Sequence, residues 1–486
     1  MCLRCAAVAL LAALLVSCSE QWGPAAPDLV VEPVPVEAPV PENREVLIPS
    51  GAARSVGFGL AWVRAERLEP FAGNRAVNAA LLPLIYEGLY AIGKDFEPVP
   101  LLCASMTYAG DNVYVVEPSP FALFSDGSPL TAADVAYSLK EAAKPGSVYA
   151  ALLMHITSAE ADGSAVKVTL SRPVTRFAAC LTFPVVKAGE PYIGTGRYVF
   201  ESAGAGGATL TRNALWHGDG SNLPGRIDLL DCTDMTSVSF YFQYGHIALL
   251  SSDFTARAEP VIRSGCERRD YPSPLMEYIE LNAAKTLPDA QNLKKVFALA
   301  LDRAALCEKA YEGNADPCAE PLPPSSPEAR PYESGYSRRE AALLLTCMGA
   351  EDADHDGVLE LPMQRGAKTP LRFVIIVNSE NAAQPRAARM YAEELRALGM
   401  DVTVNALPGN EYSRAYEAGE YDICFSQREL PPDFSFDLAP GVGNGDVLII
   451  GFVRKSLLMQ RGLAENASPA PYDMFAGFER WGFIGV

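Results

Sequence analysis

The sequence predicts an α/β protein built from two or more lobes. The chain has 486 residues, which is more than one hydrophobic core usually organises. Short β-type runs alternate with amphipathic helices along the body in two unequal blocks, and this mixture favours α/β or α+β lobes. The clearest unit is the strand, helix and strand between Leu371 and Asn405, whose spacing suits a parallel βαβ crossover.

The first eighteen residues have the layout of a secretory signal peptide. Arg4 is the lone cation, and an uncharged apolar run from Ala6 to Val16 leads into Leu15-Val16-Ser17-Cys18. That run is too short to span a bilayer. The last four residues resemble a bacterial lipobox, so we expect acylation at Cys18, where two chains would give stable anchoring. The alternative is an ordinary signal peptide with a chance cysteine.

Residues 19–50 are predicted to form a stiff tether. From Gly23 to Glu42, proline alternates with valine, alanine and glutamate. Proline fixes φ and removes a backbone donor, so this stretch should be an extended, polyproline-like spacer. Because no later apolar run is long enough for a membrane span, we expect a soluble body that meets the membrane only through its lipid.

Hydrophobic periodicity and turn residues predict the elements of the body. The predicted strands are 55–63, 113–116, 166–170, 198–200, 208–212, 371–377, 402–405 and 421–425, and the predicted helices are 74–90, 132–143, 293–310 and 382–398. Thr131 resembles an N-cap with Asp134 at the third helical position. Pro83 should kink its helix or delay its start, and Gly399 is a C-cap signal.

Charge and composition argue against nucleic-acid binding and against catalysis. The formal net charge is −19 with only 40 Lys+Arg, and a nucleic acid would be repelled by such a surface. The four histidines have no metal-ligand spacing, and no Gly-x-Ser-x-Gly elbow or complete phosphate-binding loop occurs. We therefore expect no enzyme activity and no cofactor.

One acidic turn begins like a calcium loop. Asp352, Asp354 and Asp356 alternate before Gly357, as calcium loops require. The twelfth position is Met363, where a bidentate glutamate is needed, so the pattern favours a solvated acidic turn and no metal; calcium is the alternative.

The cysteines allow two interpretations. Eight remain after the predicted signal peptide and Cys18 are set aside, and export makes disulfides possible. The nearest pairs are Cys307 with Cys318 and Cys232 with Cys266, but sequence cannot choose a connectivity. Buried free thiols are the alternative.

A family resemblance appears at Phe124-Ser-Asp-Gly-Ser-Pro-Leu-Thr-Ala-Ala-Asp-Val. This segment is similar to the extracellular solute-binding proteins of family 5, the oligopeptide-, dipeptide- and nickel-binding components of ABC importers. Further segments resemble that family in its own order: Leu84–Tyr90, Asp95–Met106, Ile193–Phe200, Leu210–Trp216, Glu280–Thr286 and Lys294–Arg303. Together they make the likeness specific over nearly the whole body.

The resemblance implies an α/β, two-lobed periplasmic-binding-protein-like fold with an extra subdomain inserted in lobe one. We place lobe one at 51–275 with the subdomain at about 90–190, lobe two at 276–445, and the return to lobe one at 446–486. The implied protein is a monomeric, lipid-anchored solute-binding protein in the periplasm or at the outer face of the cytoplasmic membrane. It would capture a small ligand, a peptide first of all, and deliver it to the permease and ATPase subunits of an ABC importer.

Three alternatives stay open at this point. The protein could sense or scavenge ligand without a permease, it could bind a nickel or haem ligand, or it could be an enzyme such as a cell-surface hydrolase. The first gains support from the short loop between Asp433 and Val447, where family members usually carry a helical stretch, so we expect a trimmed second lobe.

The resemblance also suggests site residues. In peptide binders of this family, an acidic residue after a second-lobe strand takes the ligand ammonium through a charge-assisted bond. Here Glu429 is the first candidate and Asp433 the second, with surface turn acids as the alternative. Tyr278 and Met276 lie on the segment that resembles the hinge-side strand and could line the cleft; core packing is the alternative for both.

Overall fold

The computed structural model describes residues 57–64, 67–202, 207–255, 265–282, 285, 290–362, 367–436 and 446–483. The predicted signal peptide, the acylation site at Cys18 and the tether lie outside the described residues. No helix in the described part of the chain is both long and apolar enough to cross a membrane.

Strands and helices are interspersed along the described part of the chain. The strands are β1 Phe58–Trp62, β2 Tyr90–Ile92, β3 Pro98–Pro100, β4 Cys103–Gly110, β5 Val113–Pro118, β6 Ile156–Asp162, β7 Ala165–Leu170, β8 Tyr198–Ser202, β9 Ala208–Arg212, β10 Arg226–Asp231, β11 Leu249–Ser252, β12 Cys266–Leu281, β13 Ala315–Pro317, β14 Glu360–Pro362, β15 Lys368–Pro370, β16 Arg372–Asn378, β17 Asp401–Leu407, β18 Ile423–Glu429 and β19 Val447–Gln460. The helices are α1 Ala76–Ala79, α2 Leu82–Ile85, α3 Ala132–Ala142, α4 Phe177–Cys180, α5 Met235–Gln243, α6 Ala290–Leu299, α7 Arg303–Ala305, α8 Arg338–Cys347, α9 Gln384–Ala397 and α10 Gly409–Glu417.

The strongest sequence signals are confirmed. The Thr131 hydroxyl accepts a hydrogen bond from the Asp134 backbone N–H, and the Asp134 carboxylate accepts one from the Thr131 N–H, which makes a capping box at the start of α3. β16 and β17 pair in parallel, as a βαβ crossover requires. Gly399 follows α9 with φ of +84°, the left-handed conformation in which glycine carries no steric penalty.

Two long helices predicted from periodicity are wrong in extent. Residues 74–90 form two short helices, α1 and α2, with Pro83 in the first turn of the second. The predicted helix 293–310 is interrupted after Leu299, and the Asp302 side chain caps the short α7 before a π-helical turn over Leu306–Ala310. In both places a local cap or proline overrides the continuous apolar pattern.

The described residues contain three large hydrophobic cores. One core gathers buried side chains from 89–185, packed under the four-stranded antiparallel sheet β4-β5-β7-β6 and α3. A second gathers 58–86, 186–271 and 457–481 around the sheet β1-β10-β9-β8. The third gathers 275–453 around the sheet that contains β16, β17 and β18.

Two long antiparallel strands connect the second and third cores. In β12, Tyr271 packs in the second core and Ile279 in the third, and in β19 Leu457 and Ile450 divide in the same way. The pairing of these strands shifts register between Tyr271 and Leu275, a segment that contains Pro272 and Pro274. A bulge with two prolines weakens pairing where the strands pass between cores.

All eight cysteines of the body are free thiols. Six are buried, Cys266 is half-buried and Cys347 is exposed. The structure therefore contradicts pairing of Cys307 with Cys318 or of Cys232 with Cys266 and supports the alternative, in which buried cysteine packs as a small hydrophobe.

Candidate functional site

One contact joins side chains from the first core's segment to side chains far along the chain. Phe96 is fully buried, with its ring 5.8 Å from that of Phe434 and 6.2 Å from that of Tyr472. Arg176 lies over the Phe434 ring, with its guanidinium carbon 4.3 Å from the ring centroid. Glu328 completes the group. We call Phe96, Arg176, Glu328, Phe434 and Tyr472 the Arg176 contact.

Arg176 is the electrostatic centre of this contact, with a side chain only 12% exposed. Its Nη2 donates to the Phe96 carbonyl at 2.6 Å. Its Nη1 donates to Glu97 Oε1 at 3.1 Å and also to Glu328. The Nε–H is buried and has no hydrogen-bond partner. A buried cation needs such partners, because charge taken from water is costly when unpaired.

Two aromatic residues of the contact have left-handed backbones. φ is +65° at Phe96 and +59° at Phe434, a conformation that bulky residues rarely adopt. Each lies at a turn, where Phe96 N–H donates to Gly93 and Phe434 N–H donates to Pro431. Such strain costs on the order of 1–3 kcal/mol per residue and clusters at ligand clamps and active sites.

The two predicted acids differ in exposure and in their partners. Glu429 ends β18 with its side chain 51% exposed, and its Oε2 lies 3.5 Å from Lys455 Nζ. Asp433 is half-buried and accepts hydrogen bonds from the Ser435 N–H and hydroxyl. Burial, together with the negative charge of the Asp433 carboxylate, raises the pKa of the Cys180 thiol to about 12. Asp433 therefore lies close enough to act on Cys180 at the end of α4, the short helix that begins directly after Arg176.

The two predicted cleft residues of β12 differ in burial. Met276 is fully buried among Cys318, Leu430, Ile449 and Phe452, so its side chain packs as core. Tyr278 is half-buried and packs edge-on to Phe436 at 5.6 Å.

Sequence reasoning missed Arg176 and Phe434. Arg176 follows a stretch without any recognisable motif, and its partners Glu97 and Glu328 are 79 and 152 positions away. Phe434 directly follows Asp433, so the segment was identified but the aromatic residue beside the acid was not. An Asp-Phe pair after a strand was the signal that could have found it.

A buried carboxylate lies on the long strand β12. Glu277 is 1% exposed and accepts hydrogen bonds from Asn381 Nδ2 at 3.2 Å, Gln384 Nε2 at 2.9 Å and Gln427 Nε2 at 2.9 Å. Burial raises the pKa of Glu277 to about 7, and the amide donors oppose that shift. The side chain therefore ties β12 to β18 and to the start of α9.

The acidic turn of the third core gathers four carboxylates. Ligand oxygens of Asp352, Asp354, Asp356 and Glu360 lie within 4.8 Å of one another. Met363, the twelfth loop position, lies outside the described residues. The fourth carboxylate belongs to Glu360 at the ninth position, which was not among the residues predicted for this turn. Oxygen donors of this kind suit a hard cation such as calcium, although Arg372 already pairs with Asp356 at 2.7 Å.

An open groove of about 290 Å³ lies elsewhere, lined by residues that include Glu69, Phe71, Tyr137 and Lys144. None of its lining residues belongs to the Arg176 contact.

Comparison with known proteins assigns the chain to a family. The model for bacterial extracellular solute-binding proteins, family 5 (middle), matches residues 97–439, which is more than half of the chain. The glutathione-binding protein GsiB of Salmonella typhi is 26% identical over 319 residues, covering 59% of this chain and 60% of that protein. The chain thus spans well under two thirds of the length of the curated relatives it matches.

Solved structures agree on the fold. NikA from Brucella suis, in complex with Fe(III)-EDTA, aligns with a TM-score of 0.67 at 16% identity over 88% of this chain and 99% of its own. The oligopeptide-binding protein AppA from Bacillus subtilis, in complex with a nonapeptide, aligns with a TM-score of 0.60 at 15% identity over 88% and 98%. The fold is that of the two-lobed periplasmic binding proteins, and the chain belongs to the bacterial extracellular solute-binding proteins of family 5.

Proposed function

We propose that this protein captures a small peptide at the Arg176 contact and delivers it to the permease of an ABC importer. Family 5 proteins bind ligands for transport rather than catalyse reactions. The observation that carries the proposal is the contact itself. There a buried cation, two strained aromatic residues and the nearby Asp433 converge from sequence segments that belong to separate cores.

The placement of the three cores supports the predicted lobes. The core of 89–185 falls within the proposed inserted subdomain, the core of 275–453 covers the proposed lobe two, and the remaining core contains both ends of lobe one. In this scheme the Arg176 contact closes the subdomain onto lobe two, and β12 and β19 form the hinge. Closure over a ligand would let a permease distinguish loaded from empty protein.

A peptide is the ligand that the chemistry of the contact favours. Asp433 and Glu429 can each accept an ammonium group, and Arg176 can donate to a carboxylate. GsiB is named for glutathione and AppA holds a nonapeptide, so peptides occur among the similar proteins. NikA, in contrast, holds a metal chelate, and a nickel or haem ligand is the alternative.

The proposal has three further parts. The protein carries lipid at Cys18, it is a monomer, and it lies at the outer face of the cytoplasmic membrane or in the periplasm. Capture without a permease, as a sensor or scavenger, is the second candidate. It is favoured by the small number of residues between Asp433 and Val447, of which 437–445 lie outside the described residues. Neighbouring permease and ATPase genes would favour import.

The test is a thermal-shift screen of the purified body with di- to pentapeptide pools, glutathione and Ni(L-His)₂. A true ligand at a hundredfold excess over its Kd should stabilise the protein by about 2.7 kcal/mol. Asp433→Asn should weaken binding of free peptides but not of N-acetylated ones, with Asp401→Asn as the exposed control. Stabilisation by the nickel chelate and by no peptide would contradict the peptide assignment.

A further inference from the structure

The charges of the Arg176 contact are unequally exposed. Arg176 is 12% exposed, whereas the side chains of its two partners, Glu97 and Glu328, are 43% and 46% exposed. An exposed carboxylate regains water at little cost when it leaves an ion pair, and such pairs contribute little stability. The buried guanidinium cannot do the same, because leaving it unpaired is strongly unfavourable. The cation is therefore the fixed partner and the carboxylates are exchangeable.

Glu328 is the more exchangeable of the two. It lies between β13 and α8, in a stretch that contains no helix or strand, and it reaches Arg176 from 152 positions away. Glu97 lies next to Phe96, whose carbonyl accepts a hydrogen bond from Arg176 Nη2. Glu97 therefore stays beside the guanidinium when the proposed subdomain and lobe two separate. Glu328 and Phe434, in contrast, both belong to the predicted lobe two, and each contacts Arg176.

Arg176 also has a hydrogen-bond donor to spare. Its Nε–H is buried without a partner, although guanidinium groups bind carboxylates best through two parallel N–H donors. The Phe434 ring covers one face of the guanidinium, which leaves the edge of the group for an anion.

We propose that Arg176 anchors a carboxylate of the ligand, which takes the place of Glu328. This inference rests on the proposed function and specifies its ligand: a peptide with a free carboxylate, at its C-terminus or on a side chain. With the ligand absent from the contact, Glu328 serves as an internal substitute for that carboxylate. A ligand without a negative charge cannot pair with the Arg176 guanidinium. Such a ligand therefore gains no affinity by displacing Glu328.

The experiment compares tri-alanine with tri-alanine amide by isothermal titration calorimetry, since the two peptides differ only in the C-terminal charge. For the native protein we expect at least about tenfold tighter binding of the acid, the size of one charge-assisted hydrogen bond. Arg176→Gln should remove that preference. Glu328→Gln should tighten binding of the acid several-fold, because the internal competitor is gone. Arg172, four residues before Arg176, is an exposed arginine that is hydrogen-bonded to His155, so Arg172→Gln should behave as the native protein does.

The outcomes separate this inference from the proposed function. Equal affinity for acid and amide in the native protein would overturn the carboxylate anchor and leave peptide capture standing. Binding of neither peptide, nor of glutathione, would overturn both. If Arg176→Gln fails to fold, Glu328→Gln decides, since unchanged affinity for the acid in that exposed-site variant contradicts the exchange.

Discussion

At the scale of single residues, Arg176 and Glu277 show how burial acts on a charged side chain. Arg176 and Glu277 are both withdrawn from water, but they are satisfied differently: Arg176 by two carboxylates and a carbonyl, Glu277 by three neutral amides. Neutral hydrogen-bond donors stabilise an ionised carboxylate less than a neighbouring cation would. At Glu277 the effect of burial therefore exceeds that of the hydrogen bonds, and its pKa rises to about 7.

The raised pKa of Glu277 predicts a pH-dependent stability. Because the folded-state pKa of about 7 lies above the ordinary value of 4.5, the folded protein binds this proton more tightly than the unfolded chain. The contribution is fully present below pH 4.5 and is lost as the pH rises through 7, in total roughly 3 kcal/mol. Urea unfolding at pH 5 and pH 8 should show a smaller pH-dependent fall for Glu277→Gln than for the native protein.

The matched control is Glu393→Gln, an exposed glutamate on α9, whose pH profile should follow that of the native protein. An identical fall in the Glu277→Gln and native proteins would show that this carboxylate does not titrate as we expect.

At the scale of elements, local signals set where helices begin, and packing sets how far they run. The capping box of Thr131 and Asp134 fixes the start of α3, whose inner face fills the first core with Val135, Ala136 and Leu139. The apolar pattern over 293–310 predicted one helix, yet α6 stops at Leu299. The reason is that the Asp302 side chain supplies a competing cap for the next turn.

Removal of the Thr131 cap should destabilise the first core. Thr131→Ala leaves the Asp134 N–H without its side-chain acceptor, and such losses cost about 1 kcal/mol. Thr131→Ser keeps the hydroxyl and should stay within a few tenths of a kcal/mol of the native protein. Equilibrium urea unfolding measures both, and equal stability of the two variants would argue against the cap.

At the scale of the whole molecule, β12 and β19 connect the second and third cores. The Arg176 contact is a separate connection, which joins Phe96 and Arg176 to Phe434. The register shift between Tyr271 and Leu275 lies where β12 passes from the second core, which contains Tyr271, to the third, which contains Leu275. In the proposed function this segment is the hinge, and motion about it would separate the Arg176 contact, whose apolar part forms a small cluster of its own.

Phe434 should hold the contact shut. Phe434→Ala removes an aromatic pair with Phe96 and a cation–π contact with Arg176, together worth about 2 kcal/mol. We expect a larger radius of gyration in small-angle X-ray scattering, with unchanged far-UV circular dichroism. Phe121→Ala is the control, because Phe121 is 82% exposed. An unchanged radius in Phe434→Ala would place the closing force elsewhere.

The family, the α/β class and the best-marked local elements could all be predicted from the order of the amino acids. These depend on short-range chemistry: the Phe124–Val135 segment, the cap at Thr131 and the parallel βαβ unit ended by Gly399 are each encoded within a few turns of chain. The acids at 429 and 433 were found because they follow a strand in a segment that resembles the family pattern. They remain predictions as ligand contacts, as do the lobe boundaries.

Only the tertiary structure brought Arg176 to Glu328, Phe96 to Phe434, and Glu360 to the acidic turn. It also decided that Met276 packs in a core and that the body's cysteines stay unpaired. The physical reason is that burial and long-range pairing depend on which surfaces meet after folding. No local pattern records that the arginine at position 176 will be buried against a phenylalanine more than 250 residues later.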